Sequence, residues 1–174
     1  MPPFPVIVGP TAGGKTGLAV RVAELLRDQG RPAEILSADS IQIFRGMDIG
    51  SAKPTPEERR GVPHHLIDLV DPEERFTVHD WLAAAERTLD DLEHRAVTPV
   101  VVGGTNLYVK AFLEGLFEGP EPDEQLRETL RATPQAERRA ELERVDPAAA
   151  ARIHPNDERR TVRALEVHRQ TGVP

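Results

Sequence analysis

Short apolar runs alternate with stretches of helically spaced apolar residues along the N-terminal part of the chain. Three strong runs and one weaker run read as buried parallel strands, at 4–8, 33–37, 99–102 and, weakly, 65–70. Three stretches read as helices, at 15–29, from Thr77 onward and at 105–114. Because strand and helix alternate, the pattern predicts an α/β fold with a parallel sheet and right-handed crossovers, in a first domain of residues 1–119.

Punctuating residues support these boundaries. Gly30 stands where a glycine commonly ends a helix, and Thr77 with Asp80 three residues later has the spacing of a helix N-cap. Residues 44–64 are rich in glycine, proline and charge, which predicts a long loop with one helical turn. Loops of that length inside a compact domain are usually functional or mobile.

The pattern changes after Gly119-Pro120. No strand-like run follows, and short helical stretches are predicted instead at 123–132, 134–145, 147–153 and 157–170. They are dense in charges of both signs. We therefore expect a helical appendage over residues 120–174.

Composition narrows the class of protein. The chain has 174 residues, 39% of them hydrophobic, with 29 acidic and 22 basic side chains and a net charge of −7. This balance argues against nonspecific nucleic-acid binding by bulk charge but leaves room for a local basic patch. No apolar stretch approaches the ~20 residues that span a bilayer. Without cysteine, a signal peptide or a membrane span, we expect a cytoplasmic protein with no membrane partner.

A phosphate-binding motif follows the first predicted strand. Residues 9–16 fit the pattern G-x-x-x-x-G-K-[ST]: Gly9, Pro10, Thr11, Ala12, Gly13, Gly14, Lys15 and Thr16. The loop N–H groups and the helix N-terminus attract an anion, Lys15 adds a full charge, and the Thr16 hydroxyl is a ligand for Mg²⁺. The motif predicts phosphate binding without specifying a reaction.

A carboxylate is expected beside this loop. Asp39-Ser40 follows the second predicted strand, and the carboxyl ends of parallel strands meet at one edge of a sheet. Asp39 there is a general base, an outer ligand for Mg²⁺, or both. The alternative is an aspartate that caps the following turn.

Five blocks of the sequence together resemble one family, the tRNA dimethylallyltransferases. They are the phosphate loop, DSIQIFRGMDIGSAKP at 39–54, PHHLID at 63–68, VGGTNLY at 102–108, and ND with RxxRALEV at 156–167. The blocks are collinear and cover nearly the whole chain, and RGMDIGSAKP is far more specific than the phosphate loop. The resemblance implies a P-loop, nucleotide-kinase-like parallel sheet with a helical tRNA-binding appendage.

The resemblance also implies a reaction. Family members transfer the dimethylallyl group of dimethylallyl diphosphate to N6 of adenine 37 in tRNA and release diphosphate. Lys15, Thr16, the loop amides and Mg²⁺ would neutralise the leaving group, and Asp39 would accept the N6 proton. The flipped adenine would be read by Asp39, Ser40, Ile41 and Gln42. The Thr105 hydroxyl would contact the donor or the base, cap the next helix, or do both. Tyr108 and Phe44 would either pack in the core or contact the isoprenoid or the base.

The appendage would hold tRNA. Arg160 and Arg163 lie three apart on a predicted helix and match the basic pair of the family. The residues assigned to tRNA there are Arg127, Arg159, Arg160, Thr161, Val162 and Arg163. The alternatives are ion pairs of Arg160 and Arg163 with Glu158 or Glu166, and a solvated Arg127. His64 and His65 are interpreted as hydrogen-bonding loop residues rather than metal ligands.

Several positions depart from the family pattern. Gly13 stands for the usual serine, Phe44 for tyrosine, Ser51 for threonine and Arg159 for a common glutamine. Because family members continue well beyond Pro174, we expect an N-terminal portion of a longer, monomeric enzyme. Three other functions stay open: an adenylate isopentenyltransferase, a small-molecule P-loop kinase, and a chain that binds diphosphate or RNA without turnover.

Overall fold

A computed structural model of the chain describes residues 2–116 and 119–174. It divides into two compact units after Leu116, close to the predicted boundary at 119/120. Within the described ranges, no helix is long and apolar enough to cross a membrane.

The described part of the first unit contains a four-stranded, entirely parallel sheet. Its strands are β1 (Val6–Val8), β2 (Ala33–Ala38), β3 (His64–His65) and β4 (Thr98–Gly103), in the order β1-β4-β2-β3. The predicted parallel α/β class is confirmed. β2 and β4 are paired along their whole length, so Ala38 and Gly103 end side by side at one edge of the sheet.

The weak strand predicted at 65–70 is wrong in its extent. β3 ends at His65, because Leu66 and Asp68 have φ angles of 63° and 54°, which are incompatible with an extended strand. The following segment hydrogen-bonds to a loop instead, with the Asp68 N–H donating to the Gln42 carbonyl at 3.0 Å. Val70 forms only an isolated bridge to Phe44.

Four helices surround this sheet in the described residues: α1 (Lys15–Asp28), α2 (Pro56–Arg59), α3 (Val78–His94) and α4 (Asn106–Glu114). α1 ends at Gly30 in a Schellman motif, with the Gly30 N–H bonded to Arg27 O and the Arg31 N–H to Leu26 O. Thr77 and Asp80 form the predicted cap of α3, and α2 is the helical turn predicted in the long loop.

Alternate residues of β2 and β4 face two apolar layers. Leu36 and Val101 pack with Trp81 of α3 and Tyr108 of α4, whereas Ile35 and Val100 pack with Val20 of α1. Trp81 is fully buried, stacks on Tyr108 at 4.8 Å between ring centroids, and donates from Nε1 to Ser37 O at 3.1 Å. Core packing of Tyr108 is therefore confirmed, and Phe44 packs at the edge of the same cluster.

The second unit is helical in its described residues. It contains α5 (Glu124–Ala132), α6 (Gln135–Val145), α7 (Pro147–Arg152) and α8 (Glu158–Thr171), close to the predicted helices. Aspartates 123, 146 and 157 each cap a helix through a side-chain oxygen. The small core includes Leu130, Leu142 and Leu165, all fully buried.

Candidate active site

The phosphate loop lines one side of a cleft of about 470 Å³ at the carboxyl edge of the sheet. Gly14, with φ of 71°, turns the chain into α1, which begins at Lys15. The Gly13 N–H closes the loop by donating to Pro10 O at 3.1 Å, and Lys15 Nζ donates to the same carbonyl at 2.6 Å. Loop residues 11–17 face the cleft, so backbone N–H groups and a helix N-terminus are available to an anion.

Two glycines bring β4 close to its neighbours. A Cβ on Gly103 would lie 2.2 Å from Ala38 O, and a Cβ on Gly104 would lie 3.0 Å from Gly9 O. Neither position accommodates a side chain without movement of the backbone. The Gly-Gly pair therefore permits the close packing that places β2, β4 and the phosphate loop around one cleft.

Asp39 lines the same cleft as the phosphate loop. Its Oδ1 accepts hydrogen bonds from the Ile41 N–H at 2.9 Å and the Gln42 N–H at 3.3 Å. The turn-capping interpretation is therefore correct for one carboxylate oxygen. These bonds leave Oδ2 as the oxygen with capacity for a substrate proton, so capping and base chemistry are compatible in one residue.

Thr105 occupies the N-cap position of α4 but does not cap it with its side chain. Its Oγ1 instead accepts from the Ser40 N–H at 3.0 Å and donates to Ser40 Oγ at 3.3 Å. The capping alternative is therefore wrong. The hydroxyl links the end of β4 to the segment that carries Asp39.

Gln42 is 9% exposed, and its amide is used at both ends. Oε1 accepts from the Ser37 hydroxyl at 2.9 Å, while Nε2 donates to Ser51 O at 3.3 Å and Ala52 O at 3.0 Å. Its assignment to base reading stays a prediction, since an adenine contact from the amide would replace one of these bonds. Ile41 beside it is 43% exposed.

Sequence reasoning did not single out Lys53 as a site residue. Its side chain is 4% exposed and lines the cleft, with Nζ bonded to Asp48 and Asp68. Burial acts to lower the pKa of Lys53, but the hydrogen bonds to both carboxylates outweigh it and raise that pKa above its ordinary value. The signal was present in the RGMDIGSAKP block, which contains Asp48 five residues before Lys53, whereas Asp68 lies outside that block.

The second unit has its own basic cleft. It is lined by Arg127, Arg131, Glu158, Arg159, Val162 and Arg163. Fully buried Glu166 pairs with Arg127 at 3.0 Å and with Arg163 at 2.7 Å. The ion-pair alternative is thus correct for Arg163, and the solvated alternative is wrong for Arg127.

Of the remaining residues predicted to contact tRNA, two are exposed and two are buried. Arg159 is exposed, and Arg160 is 75% exposed with Asp157 at 3.5 Å, not Glu158. Thr161 and Val162 are each 4% exposed. Because the Thr161 hydroxyl is buried, a side-chain contact from it to RNA would require the unit to open.

The two histidines make hydrogen bonds, as expected, but from β3 rather than a loop. His64 Nδ1 lies 2.8 Å from Val62 O, and His65 Nε2 lies 2.6 Å from Glu34 Oε2. Burial lowers the pKa of His64 below its ordinary value. The described ranges contain no cluster of three or more His, Cys, Asp or Glu side chains placed for a metal ion.

A parallel α/β sheet with a glycine-rich loop leading into a helix at Lys15 is the arrangement typical of P-loop proteins. Comparison with known families is more specific. The profile described as IPP transferase matches residues 42–174, and the profile described as isopentenyl transferase matches residues 4–73. The chain belongs to the tRNA dimethylallyltransferase family.

Individual relatives agree. The chain is 51% identical to a tRNA dimethylallyltransferase 2 of Geotalea uraniireducens, over 97% of this chain and 54% of the relative. It is similarly 51% identical to a tRNA dimethylallyltransferase of Symbiobacterium thermophilum, over 99% and 54%. The chain thus spans about half the length of the curated relatives it matches.

Solved structures agree as well. A full-length tRNA isopentenylpyrophosphate transferase from Bacillus halodurans is 44% identical, with a TM-score of 0.63 over 98% of this chain and 56% of the other. A eukaryotic dimethylallyltransferase acting on tRNA is 29% identical, with a TM-score of 0.79 over 97% and 42%. The fold described above is therefore shared with structures of the family.

Proposed function

We propose that this chain carries the donor site and the proton acceptor of a tRNA dimethylallyltransferase, on a nucleotide-kinase-like core. The observation that carries the proposal is the shared cleft, which is lined by both the phosphate loop and Asp39. That arrangement suits a reaction in which a diphosphate leaves while an amine loses a proton. We also expect the chain to act in the cytoplasm as a monomer.

The phosphate loop would hold dimethylallyl diphosphate. Loop N–H groups and the N-terminus of α1 would bind the diphosphate oxygens, and Lys15 Nζ would exchange the Pro10 carbonyl for one of them. Charge on the departing diphosphate is then stabilised in place. Gly13 offers no hydroxyl, so backbone N–H groups supply the binding at that position.

The residues also fit Mg²⁺. The Thr16 hydroxyl lies in the same cleft, and Mg²⁺ commonly takes one or two protein ligands together with substrate phosphates and water. Thr16 and the diphosphate oxygens would hold the ion, which when bound adds positive charge beside the leaving group.

Asp39 would accept the proton of adenine N6. The bond from the dimethylallyl carbon to the diphosphate oxygen breaks, the bond from that carbon to N6 forms, and the N6 proton passes to Asp39 Oδ2. Oδ1 stays with its two N–H donors, which fixes the carboxylate while it reacts. Thr105 would position this segment through Ser40. The adenine must leave its stack to reach the cleft.

The second unit would bind the RNA backbone. Exposed Arg159 and Arg160 on the first turn of α8 are the strongest candidates for phosphate contacts. Arg127 and Arg163 are weaker candidates, because Glu166 and Glu124 pair with the first guanidinium and Glu166 and the Pro120 carbonyl with the second. We leave the Thr161 side chain out of this interface. The arginine-lined cleft of this unit favours tRNA over a free nucleotide as acceptor.

The test is transfer of label from dimethylallyl diphosphate in the presence of Mg²⁺. Acceptors are an anticodon stem-loop with adenine 37 and AMP, and the protein is this chain alone or extended at its C-terminus. We expect labelled RNA, unlabelled AMP, and a rate about 10²- to 10⁴-fold lower for Asp39→Asn. Exposed Asp90→Asn on α3 is the matched control.

Two results would contradict the proposal. Label in AMP but not in RNA would indicate an adenylate isopentenyltransferase. Phosphate transfer from ATP without any need for dimethylallyl diphosphate would indicate a kinase.

A further inference from the structure

Lys53 lines the donor cleft, but its charge is already used by the protein. Nζ donates to Phe44 O at 2.9 Å, Asp48 Oδ1 at 2.7 Å and Asp68 Oδ1 at 2.6 Å. An ammonium has three N–H donors, and these three acceptors satisfy all of them. Lys53 therefore differs from Lys15: it has no donor left for a phosphate.

The three acceptors come from two separate parts of the chain. Phe44 and Asp48 lie in the loop 44–53, which we call the cleft loop, whereas Asp68 lies in the segment after β3. That segment is itself paired to the turn before the cleft loop, through the Asp68 N–H on Gln42 O and the Leu69 N–H on Ile43 O at 2.7 Å. The ammonium thus fastens the cleft loop to the body of the first unit.

A continuous path of hydrogen bonds connects the cleft loop to Asp39. The Lys53 N–H donates to Ser51 Oγ at 3.3 Å, which fixes the turn at Ser51. The carbonyls of Ser51 and Ala52 accept from Gln42 Nε2, and the Gln42 N–H donates to Asp39 Oδ1. Each step joins groups that are buried or half-buried, where hydrogen bonds hold geometry well.

We infer that Lys53 is a positioning residue. Its ammonium holds the cleft loop in the shape that keeps Gln42 and, through Gln42, the Asp39 carboxylate in place. The phosphate loop makes none of these bonds in the described residues, so its own shape does not depend on them. This inference rests on the proposed function, because the step it affects is proton acceptance by Asp39.

The test compares Lys53→Met with wild type in the transfer assay. We expect kcat to fall about 10- to 100-fold, the scale of a small misplacement of a reacting group. The KM for dimethylallyl diphosphate should stay within about twofold, since the phosphate loop is untouched. Lys110→Met, which removes an exposed lysine of α4, is the matched control and should leave both constants unchanged.

Chemical rescue separates the ammonium from the volume of the side chain. The chain has no cysteine, so Lys53→Cys introduces a unique thiol. Alkylation of the unfolded variant with 2-bromoethylamine, followed by refolding, rebuilds an ammonium at nearly the original length. We expect it to restore kcat, whereas alkylation with 1-bromopropane should not.

Amide hydrogen exchange gives a readout that does not need turnover. In Lys53→Met we expect faster exchange at the amides of Gln42, Asp68 and Leu69, with no change at Gly13. If Lys53→Met does not fold, Asp48→Asn removes one acceptor charge and should give a smaller change in the same direction.

Three results would overturn the inference. They are an unchanged kcat in folded Lys53→Met, a raised donor KM with unchanged kcat, and equal rescue by both alkylating agents. Absence of transfer in the wild type would contradict the proposed function instead, and the exchange measurement would still decide whether Lys53 holds the cleft loop.

Discussion

At the scale of single residues, the candidate site uses side chains that have both a structural and a chemical task. Asp39 caps a turn with one oxygen, and under the proposed function its other oxygen accepts the substrate proton. Thr105 accepts from a backbone N–H that would otherwise lose its partner. Because these side chains hold the site together through specific hydrogen bonds, conservative replacements are more informative than alanine.

Thr105 gives the first such prediction. Thr105→Val keeps the shape but removes the acceptor for the Ser40 N–H, so we expect a loss of about 1–3 kcal/mol in the free energy of unfolding. Transfer should also fall, since Ser40 adjoins Asp39. Thr105→Ser keeps the hydroxyl and serves as the control. Urea unfolding followed by Trp81 fluorescence measures the first effect; an unchanged midpoint in Thr105→Val would show that the bond contributes little.

Gly103 gives a second prediction. A Cβ there would overlap the Ala38 carbonyl at 2.2 Å, so Gly103→Ala must separate β2 from β4 or distort their ends. We expect destabilisation of about 1–3 kcal/mol, typical of overpacking. Gly17→Ala is the control, because a Cβ on Gly17 meets no atom within 4 Å and the position is helical. Equal stability of the two variants would contradict the packing account.

At the scale of elements, one buried carboxylate joins α5 and α8 in the second unit. Glu166 is fully buried and accepts from Arg127, Arg163 and the Asp123 N–H. Burial acts to raise the pKa of Glu166, but these donors outweigh it and hold that pKa below its ordinary value. The folded unit therefore binds a proton on Glu166 more weakly than the unfolded chain does.

The weaker proton binding of folded Glu166 makes the stability of the second unit depend on pH. Glu166 stabilises the second unit above its unfolded pKa, about 4.3, and the stabilisation is lost as pH falls through the lower folded pKa. We expect Glu166→Gln to lower the stability at pH 7 by about 3–5 kcal/mol, because two arginines lose a buried partner. It should also weaken the acid sensitivity below about pH 4.3.

The two units can be followed separately in this experiment. Trp81 is the single tryptophan and lies in the first unit, so its fluorescence reports that unit, while far-UV circular dichroism also reports the helices of the second. Exposed Glu128→Gln on α5 is the control. If Glu166→Gln unfolds in acid as the wild type does, the ion pairs of Glu166 with Arg127 and Arg163 do not stabilise the second unit.

At the scale of the whole molecule, net charge and local charge give opposite expectations for RNA binding. The chain carries a charge of −7, yet α8 begins with two exposed arginines beside a cleft lined by arginines. Added salt screens the long-range repulsion between the acidic chain and RNA, which favours binding. Added salt also weakens each direct contact between an arginine and a phosphate, which opposes binding. RNA affinity is therefore best judged by its salt dependence rather than at one salt concentration.

We expect Arg160→Gln to reduce the slope of log K against log salt by about 0.7, the value for one phosphate of a single strand. Arg159→Gln should have a similar effect if the residue contacts phosphate, and it restores the residue common in the family. Arg31→Gln, on the first unit before β2, is the control. Titration of a labelled anticodon stem-loop at several salt concentrations measures the slopes. An unchanged slope in both variants would show that neither arginine contacts an RNA phosphate.

The sequence predicted the elements better than the contacts between them. Helices α1 and α4 to α8 begin and end close to their predicted limits, and α3 begins where it was predicted, because caps and apolar spacing are local signals. The predicted strand at 65–70 was too long, because the positive φ angle of Leu66 belongs to a residue with no local preference for that conformation. The few strand bonds of β3 depend on its neighbour β2.

By itself, the sequence determined the parallel α/β class, the phosphate loop, the presence of Asp39 at the sheet edge, and the family. Each of these depends on short local patterns and on their order along the chain. Only the tertiary structure decided that Thr105 bonds to Ser40, that Lys53 lies between Asp48 and Asp68, and that Glu166 joins Arg127 to Arg163. The physical reason is that a polar side chain chooses its partner by distance after folding, and residues far apart in sequence become neighbours only when the apolar core has formed.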